Sequence, residues 1–214
     1  MFASTNFEGI LKSEKELQEK HIVIMLFVKP SDKDANDIIK QYNYFHYVSR
    51  QYCSIYAIGY SENPFLKDEY EDMQTIRAVN NTDWYYSDKC FVECIDSLQD
   101  RLKWTYCGEP QAVILQTDPD SKNYLNFQNY VSINILYGIR QGYIESFPAL
   151  MTQIVNAAKS EVTAKAVINE MQEKILSVKN VMETTLDLVK VVPEPVKKII
   201  LDRTFYKTCN SKIL

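Results

Sequence analysis

No Cys-X-X-Cys pair occurs anywhere in the 214 residues, and there is no Gly-rich phosphate loop and no Gly-X-Ser-X-Gly elbow. The first absence excludes ordinary dithiol–disulfide exchange. The others exclude a Walker-type nucleotide site and the strand-to-helix nucleophile of α/β-hydrolases. Histidine is scarce, with only His21 and His46, and neither has zinc-ligand spacing to a cysteine. No apolar run reaches the length of a membrane span, so no membrane association is expected. Basic residues do not outnumber acidic ones, and the formal charge is −4. That balance argues against nucleic-acid binding, which needs a basic footprint. The N-terminal stretch lacks the basic and apolar segments of a secretory leader. Five cysteines at irregular spacing read as reduced thiols, and the expected location is the cytoplasm.

What is present begins with His21–Asn36, reading HIVIMLFVKPSDKDAN. An apolar run ended by Pro30 has the signature of a strand buried on both faces. Ser31, Asp32 and Asp34 follow as helix-capping residues, and the first helix is expected to run from there to about Arg50. Its apolar face is Ile38, Ile39, Tyr42, Phe45 and Val48. Residues 1–20 read as a polar lead-in with a short helix at Ser13–Lys20. A second strand is expected over Cys53–Tyr60, where Gly59 permits a close backbone approach. A short helix is expected at Glu69–Val79. Ser87 caps the next helix, whose stripe is Phe91, Cys94, Ile95, Leu98 and Leu102. Gly108-Glu109-Pro110 turns into a strand over Ala112–Gln116. Asp118-Pro119-Asp120-Ser121 is a second turn. An alternating strand then follows over Val131–Ile135, covered on one face only.

From Phe147 the helical period runs to Val192, where Pro193-Glu194-Pro195 stops it, and a short helix is expected at Val196–Tyr206. Ile154, Ile168, Ile175, Met182 and Val189 share one heptad phase, with Ala157, Ala164, Met171 and Val178 three residues on. Such a seam predicts packing onto a second copy or a protein partner, with a helix folded back on its own domain as the alternative. The candidate interface residues are Ile168, Met171, Ile175, Val178, Met182 and Val189.

The order strand, helix, strand, helix, strand, strand, helix over about residues 20–160 resembles the thioredoxin fold. The long connection before the second helix, with Trp84 and Asp88, is similar to the peroxiredoxin-like and TlpA-like branches. Laying Phe27 on the family's aromatic residue puts Ser31-Asp32-Lys33-Asp34-Ala35 over the redox motif. Asp32 and Ala35 then stand where the two cysteines belong. The resemblance implies a three-layer α/β fold with a mixed central sheet over 21–160 and a cis Pro110; the helical period adds a helical extension over 161–214. A flavodoxin-like sheet is the alternative; the alternating fourth strand counts against it.

The candidate ligand or partner site is the corner formed by Asp32, Asp34, Cys107, Glu109 and Pro110. A carboxylate cannot attack a disulfide, so the expected function is a redox-inactive protein-interaction module without cofactor or metal. The alternative is a thiol-dependent enzyme or sensor using Cys107, or the Cys90/Cys94 pair. Against it, Cys94 belongs to an apolar stripe and helical i,i+4 cysteines rarely meet disulfide geometry. Asp32, Asp34 and Asp37 fit helix N-terminal acids better than a metal cluster.

Overall fold

The computed structural model describes residues 2–32, 35–49, 52–77, 83–160 and 205–209. A six-stranded sheet is built in the order β1-β3-β2-β7-β8-β9. Its strands are β1 (Phe2–Ser4), β2 (Ile22–Phe27), β3 (Cys53–Ile58), β7 (Gln111–Gln116), β8 (Asn129–Asn134) and β9 (Phe205–Cys209). The pairs β1/β3 and β2/β3 are parallel. The pairs β2/β7, β7/β8 and β8/β9 are antiparallel. The molecule is therefore α/β with a mixed sheet.

β2 and β7 are buried along their whole length. Continuous apolar runs produce this, since each face needs its own cover. On one face lie α1 (Phe7–Leu17) and α4 (Asp88–Gln99). Tyr56 of β3 reaches Glu14 of α1 there, and Phe27 of β2 meets Phe91 of α4. On the other face lie α3 (Tyr42–Ser49) and α6 (Phe147–Ser160), joined by the Phe45–Phe147 ring contact at 5.6 Å. The short helices α2 (Ala35–Lys40) and α5 (Ile135–Arg140) follow β2 and β8.

A second sheet, β4-β6-β5, stands at one end. Its strands are β4 (Tyr60–Ser61), β5 (Gln74–Arg77) and β6 (Asp83–Tyr86). Gly59 lets the chain leave β3 for β4. It has a φ of +84°, and a Cβ placed on it would sit 2.9 Å from Phe91 Cβ and from Tyr86 Cε2. Only glycine meets both demands without strain, as the sequence anticipated.

Several expectations are corrected. The lead-in carries β1 and a longer, earlier α1, whose Phe7, Ile10 and Leu11 enter the core. The helix expected to run to Arg50 is broken at Gln41 into α2 and α3. A Tyr-Asn-Tyr run of weak helix formers follows the break. The region of Glu69–Val79 holds no helix among its described residues. A 3-10 turn occupies Pro64–Asp68 instead, and Gln74–Arg77 is the strand β5. β8 is not one-sided, because Tyr130, Val131, Ser132 and Ile133 are all buried. It is also not an edge, since β9 pairs along it. Ile135 has left the strand, because the Asn134 side chain caps α5 by accepting from the Tyr137 amide. Phe205 and Tyr206 lie in β9 rather than in a terminal helix. The long helix is described from Phe147 to Ser160. The seam from Ile168 to Val189 lies outside the described residues.

Candidate functional site

The corner after β2 is built by the turn Lys29–Asp32. The Asp32 amide donates to the Lys29 carbonyl at 3.0 Å, and the Lys29 amide donates to Asp32 Oδ2 at 2.7 Å. Asp32 therefore closes its own turn by a side-chain bond, a habit of short acidic residues. Lys29 Nζ reaches Asp88 Oδ1 at 3.2 Å and lies 5.2 Å from the centre of the Phe91 ring. The Tyr86 hydroxyl donates to the same Asp88 oxygen at 3.1 Å. Tyr60 fixes the strand end by donating to the Val28 carbonyl at 2.9 Å.

Facing this turn is the segment before β7. Asn134 Nδ2 donates to Glu109 Oε2 at 3.1 Å and lies 3.3 Å from Cys107 Sγ. Arg140 Nη1 donates to Glu109 Oε1 at 2.8 Å. Burial pushes the Asp32 carboxyl up; the Lys29 amide and charge oppose this, and the Glu109 charge adds to it. Tyr106 is pushed up by burial and then by Asp32, Cys107 and Glu109, which places all four groups in one electrostatic neighbourhood. The structure thus brings Asp32, Cys107 and Glu109 near one another. Asp34 lies outside the described residues. Pro110 is buried and its carbonyl accepts the Ile135 amide at 3.0 Å.

The expected cis bond at Pro110 is overturned: no peptide among the described residues is cis. Gly108, at φ +83°, makes the reversal before β7. With glycine turning the chain, the ordinary trans bond suffices.

The thiols are poorly suited to attack. Burial raises Cys107 above its ordinary range; the Glu109 amide opposes the shift and the Glu109 charge reinforces it. Cys94 is buried, and its thiol is pushed up to about 12, by burial first and then by Cys90 and Glu93. Cys90 is also raised, mainly by burial. A thiol held protonated at neutral pH is a weak nucleophile. Cys53, Cys90, Cys94 and Cys107 are all free. Among the described residues no cluster of His, Cys, Asp or Glu could hold a metal ion, and no helix is long and apolar enough to cross a membrane.

A second constellation, at the opposite end of β2, was not anticipated. Glu14 is fully buried. Its Oε1 accepts from the Tyr56 hydroxyl at 2.6 Å, and its Oε2 lies 2.6 Å from His21 Nε2. His21 Nδ1 lies 3.2 Å from the Glu19 carbonyl, and Nε2 is also 3.1 Å from Ser54 Oγ. The Glu19 carbonyl can only accept, so Nδ1 carries a proton; Glu14 Oε2 accepts no hydrogen bond, so its approach to Nε2 is electrostatic and favours a positive charge on the ring. Burial works against that charge, but Glu14 and then Glu19 outweigh it and hold the pKa above its ordinary value.

Ser54, His21 and Glu14 do not form a nucleophilic triad. The carboxylate and the hydroxyl lie at the same ring nitrogen, whereas a triad sets them on opposite nitrogens. One signal was available in the sequence. Phe7, Ile10, Leu11 and Glu14 fall at i, i+3, i+4 and i+7, which puts a carboxylate on the buried stripe.

No family model, no curated protein and no solved structure matches the chain.

Proposed function

We propose that the chain is a thioredoxin-like module without dithiol chemistry, working by holding a protein partner. The observation that carries this reading is the sheet itself. The order β1-β3-β2-β7-β8, parallel over the first three strands and antiparallel after them, is the arrangement the thioredoxin fold requires. The trans Pro110 supplies no support, so the reading rests on strand order and direction. At the corner where that fold carries its attacking thiol stands Asp32, bonded to its own turn. A carboxylate there can bind and orient but cannot exchange disulfides. A reducing compartment such as the cytoplasm is part of the proposal, supported by the four free thiols. The heptad row from Ile168 to Val189 is a second proposed contact, on sequence grounds alone.

The competing reading, a thiol enzyme using Cys107, has one observation in its favour, namely that Cys107 is exposed. Its raised pKa weighs against it. An insulin-reduction assay with dithiothreitol separates the two. No acceleration over background is expected. Turnover that disappears in Cys107→Ser would replace the module with the enzyme.

A further inference from the structure

β1 is an outer strand of the main sheet. It pairs with β3 through Phe2↔Tyr56, Ala3↔Ala57 and Ser4↔Ile58. The Gly59 amide donates to the Ser4 carbonyl at 2.8 Å, so Ser4 turns its main-chain groups toward β3. In a parallel ladder the next residue turns both of its groups the other way. The Ala3 N–H and C=O therefore point out of the sheet.

Two hollows flank this edge and share Phe2 and Leu17 in their walls. One, of about 520 Å³, runs along β1 against α1 and includes Ser13, Glu16 and Tyr56. The other, of about 110 Å³, opens at the start of β3 and includes Glu19, His21 and His46. Phe2 and Leu17 are 44% and 50% exposed, a substantial apolar surface left uncovered between the hollows. Among the described residues no Lys or Arg lines either hollow, and Lys159 Nζ lies 5.4 Å from the ring centre of Tyr52 at the smaller one. His21 lies against Glu14 and also feels the Glu19 charge, while the exposed Glu16 and Glu19 carboxylates have no salt bridge among the described residues.

We infer that the β1 edge receives an extended peptide segment of a partner protein, in which apolar residues alternate with lysine or arginine. The main chain of that segment would pair with Ala3. Its apolar side chains would cover Phe2 and Leu17, and its cations would meet Glu16 and Glu19. Strand addition of this kind takes affinity from main-chain bonds and specificity from alternate side chains. The acidic lining selects the basic partner over an acidic one. The inference rests on the protein-binding reading and gives that reading a surface and a partner chemistry.

The test uses the full chain and a fluorescein-labelled, capped peptide alternating valine and lysine, with a valine–glutamate peptide as its counterpart. Saturable binding of the first peptide is expected, with the largest amide NMR shifts at Phe2–Ser4. The double variant Glu16→Lys/Glu19→Lys should weaken it roughly five- to tenfold, as two exposed charge pairs would. Ala3→Pro should weaken it by removing the outward amide. If that variant does not fold, the charge reversal and the shift map decide. No saturable binding, shifts centred on the corner or on β9, or equal binding of both peptides would overturn the inference. So would a dimer in light scattering that Ala3→Pro dissolves, since a second copy would then occupy the edge. A silent insulin assay with failed peptide binding removes only the edge. Thiol turnover removes the module reading whatever the peptide does.

Discussion

At the start of β2, Glu14 has lost all contact with water; its Oε1 accepts the Tyr56 hydroxyl, and its Oε2 lies beside His21 without accepting a hydrogen bond. At the end of β2, Asp32 is partly exposed, bonded to the amide of its own turn, and feels the charge of a second carboxylate, Glu109. Both are acids beside the same strand. One is spent on joining α1 to β2 and β3, and the other is left beside solvent with its charge only partly compensated. Buried ionic groups survive only when fully paired.

Replacing Glu14 should break this contrast hardest. Glu14→Ala leaves the His21 ring and the Tyr56 hydroxyl without their partner. Removing one member of a buried pair typically costs about 3–5 kcal/mol. A urea midpoint moved by that amount, with an unchanged slope, is expected. A change under about 1 kcal/mol would mean that the network does not hold α1 against the sheet.

The pH dependence sharpens the comparison, because the two ends act in different windows. His21 is raised above 6.5 in the fold. Between 6.5 and that raised value the native state keeps a proton that the unfolded chain has released, so stability falls as pH rises. Below 6.5 the contribution is fully present. Asp32 is raised above 3.8, so its window lies on the acid side, and there too stability falls as pH rises. Denaturation curves across both windows should show His21→Gln flattening only the upper fall and Asp32→Asn only the lower one. Either variant changing the other window would show that the ends are coupled.

Much of the central sheet was legible. β2 and β7 are continuous apolar runs bounded by turn residues. α4 announced itself by its stripe and by Ser87, whose hydroxyl accepts the Cys90 amide at 3.0 Å. The rest needed partners that local sequence does not name. β1 has only three residues and is a strand because Tyr56–Ile58 lies beside it. Gln74–Arg77 looked helical and became a strand by pairing with Asp83–Tyr86, a case of tertiary pairing overriding propensity. At the corner, Asp32, Cys107 and Glu109 lie near one another. The groups that organise them were not legible: Asn134 and Arg140 come from the far end of β8 and from α5, and no spacing rule links them to Glu109. Glu14 was hidden because its partners His21 and Tyr56 are brought to it only by the fold.

The smallest effect is expected at the open end, from Arg140→Ala. Arg140 Nη1 and Glu109 Oε1 are 2.8 Å apart, but the Arg140 side chain is 59% exposed. Exposed pairs are screened and pay side-chain entropy, so the loss in stability should be roughly 0.2–1 kcal/mol. The sharper consequence is electrostatic. Without Arg140 the Glu109 charge is less compensated, and it already acts to raise both Asp32 and Cys107. The alkylation rate of Cys107, followed against pH, should then move to higher pH in Arg140→Ala and back in a Glu109→Gln/Arg140→Ala double variant. A stability loss comparable to that of Glu14→Ala would erase the distinction between the two ends, because the corner would then be as much a structural anchor as the buried network.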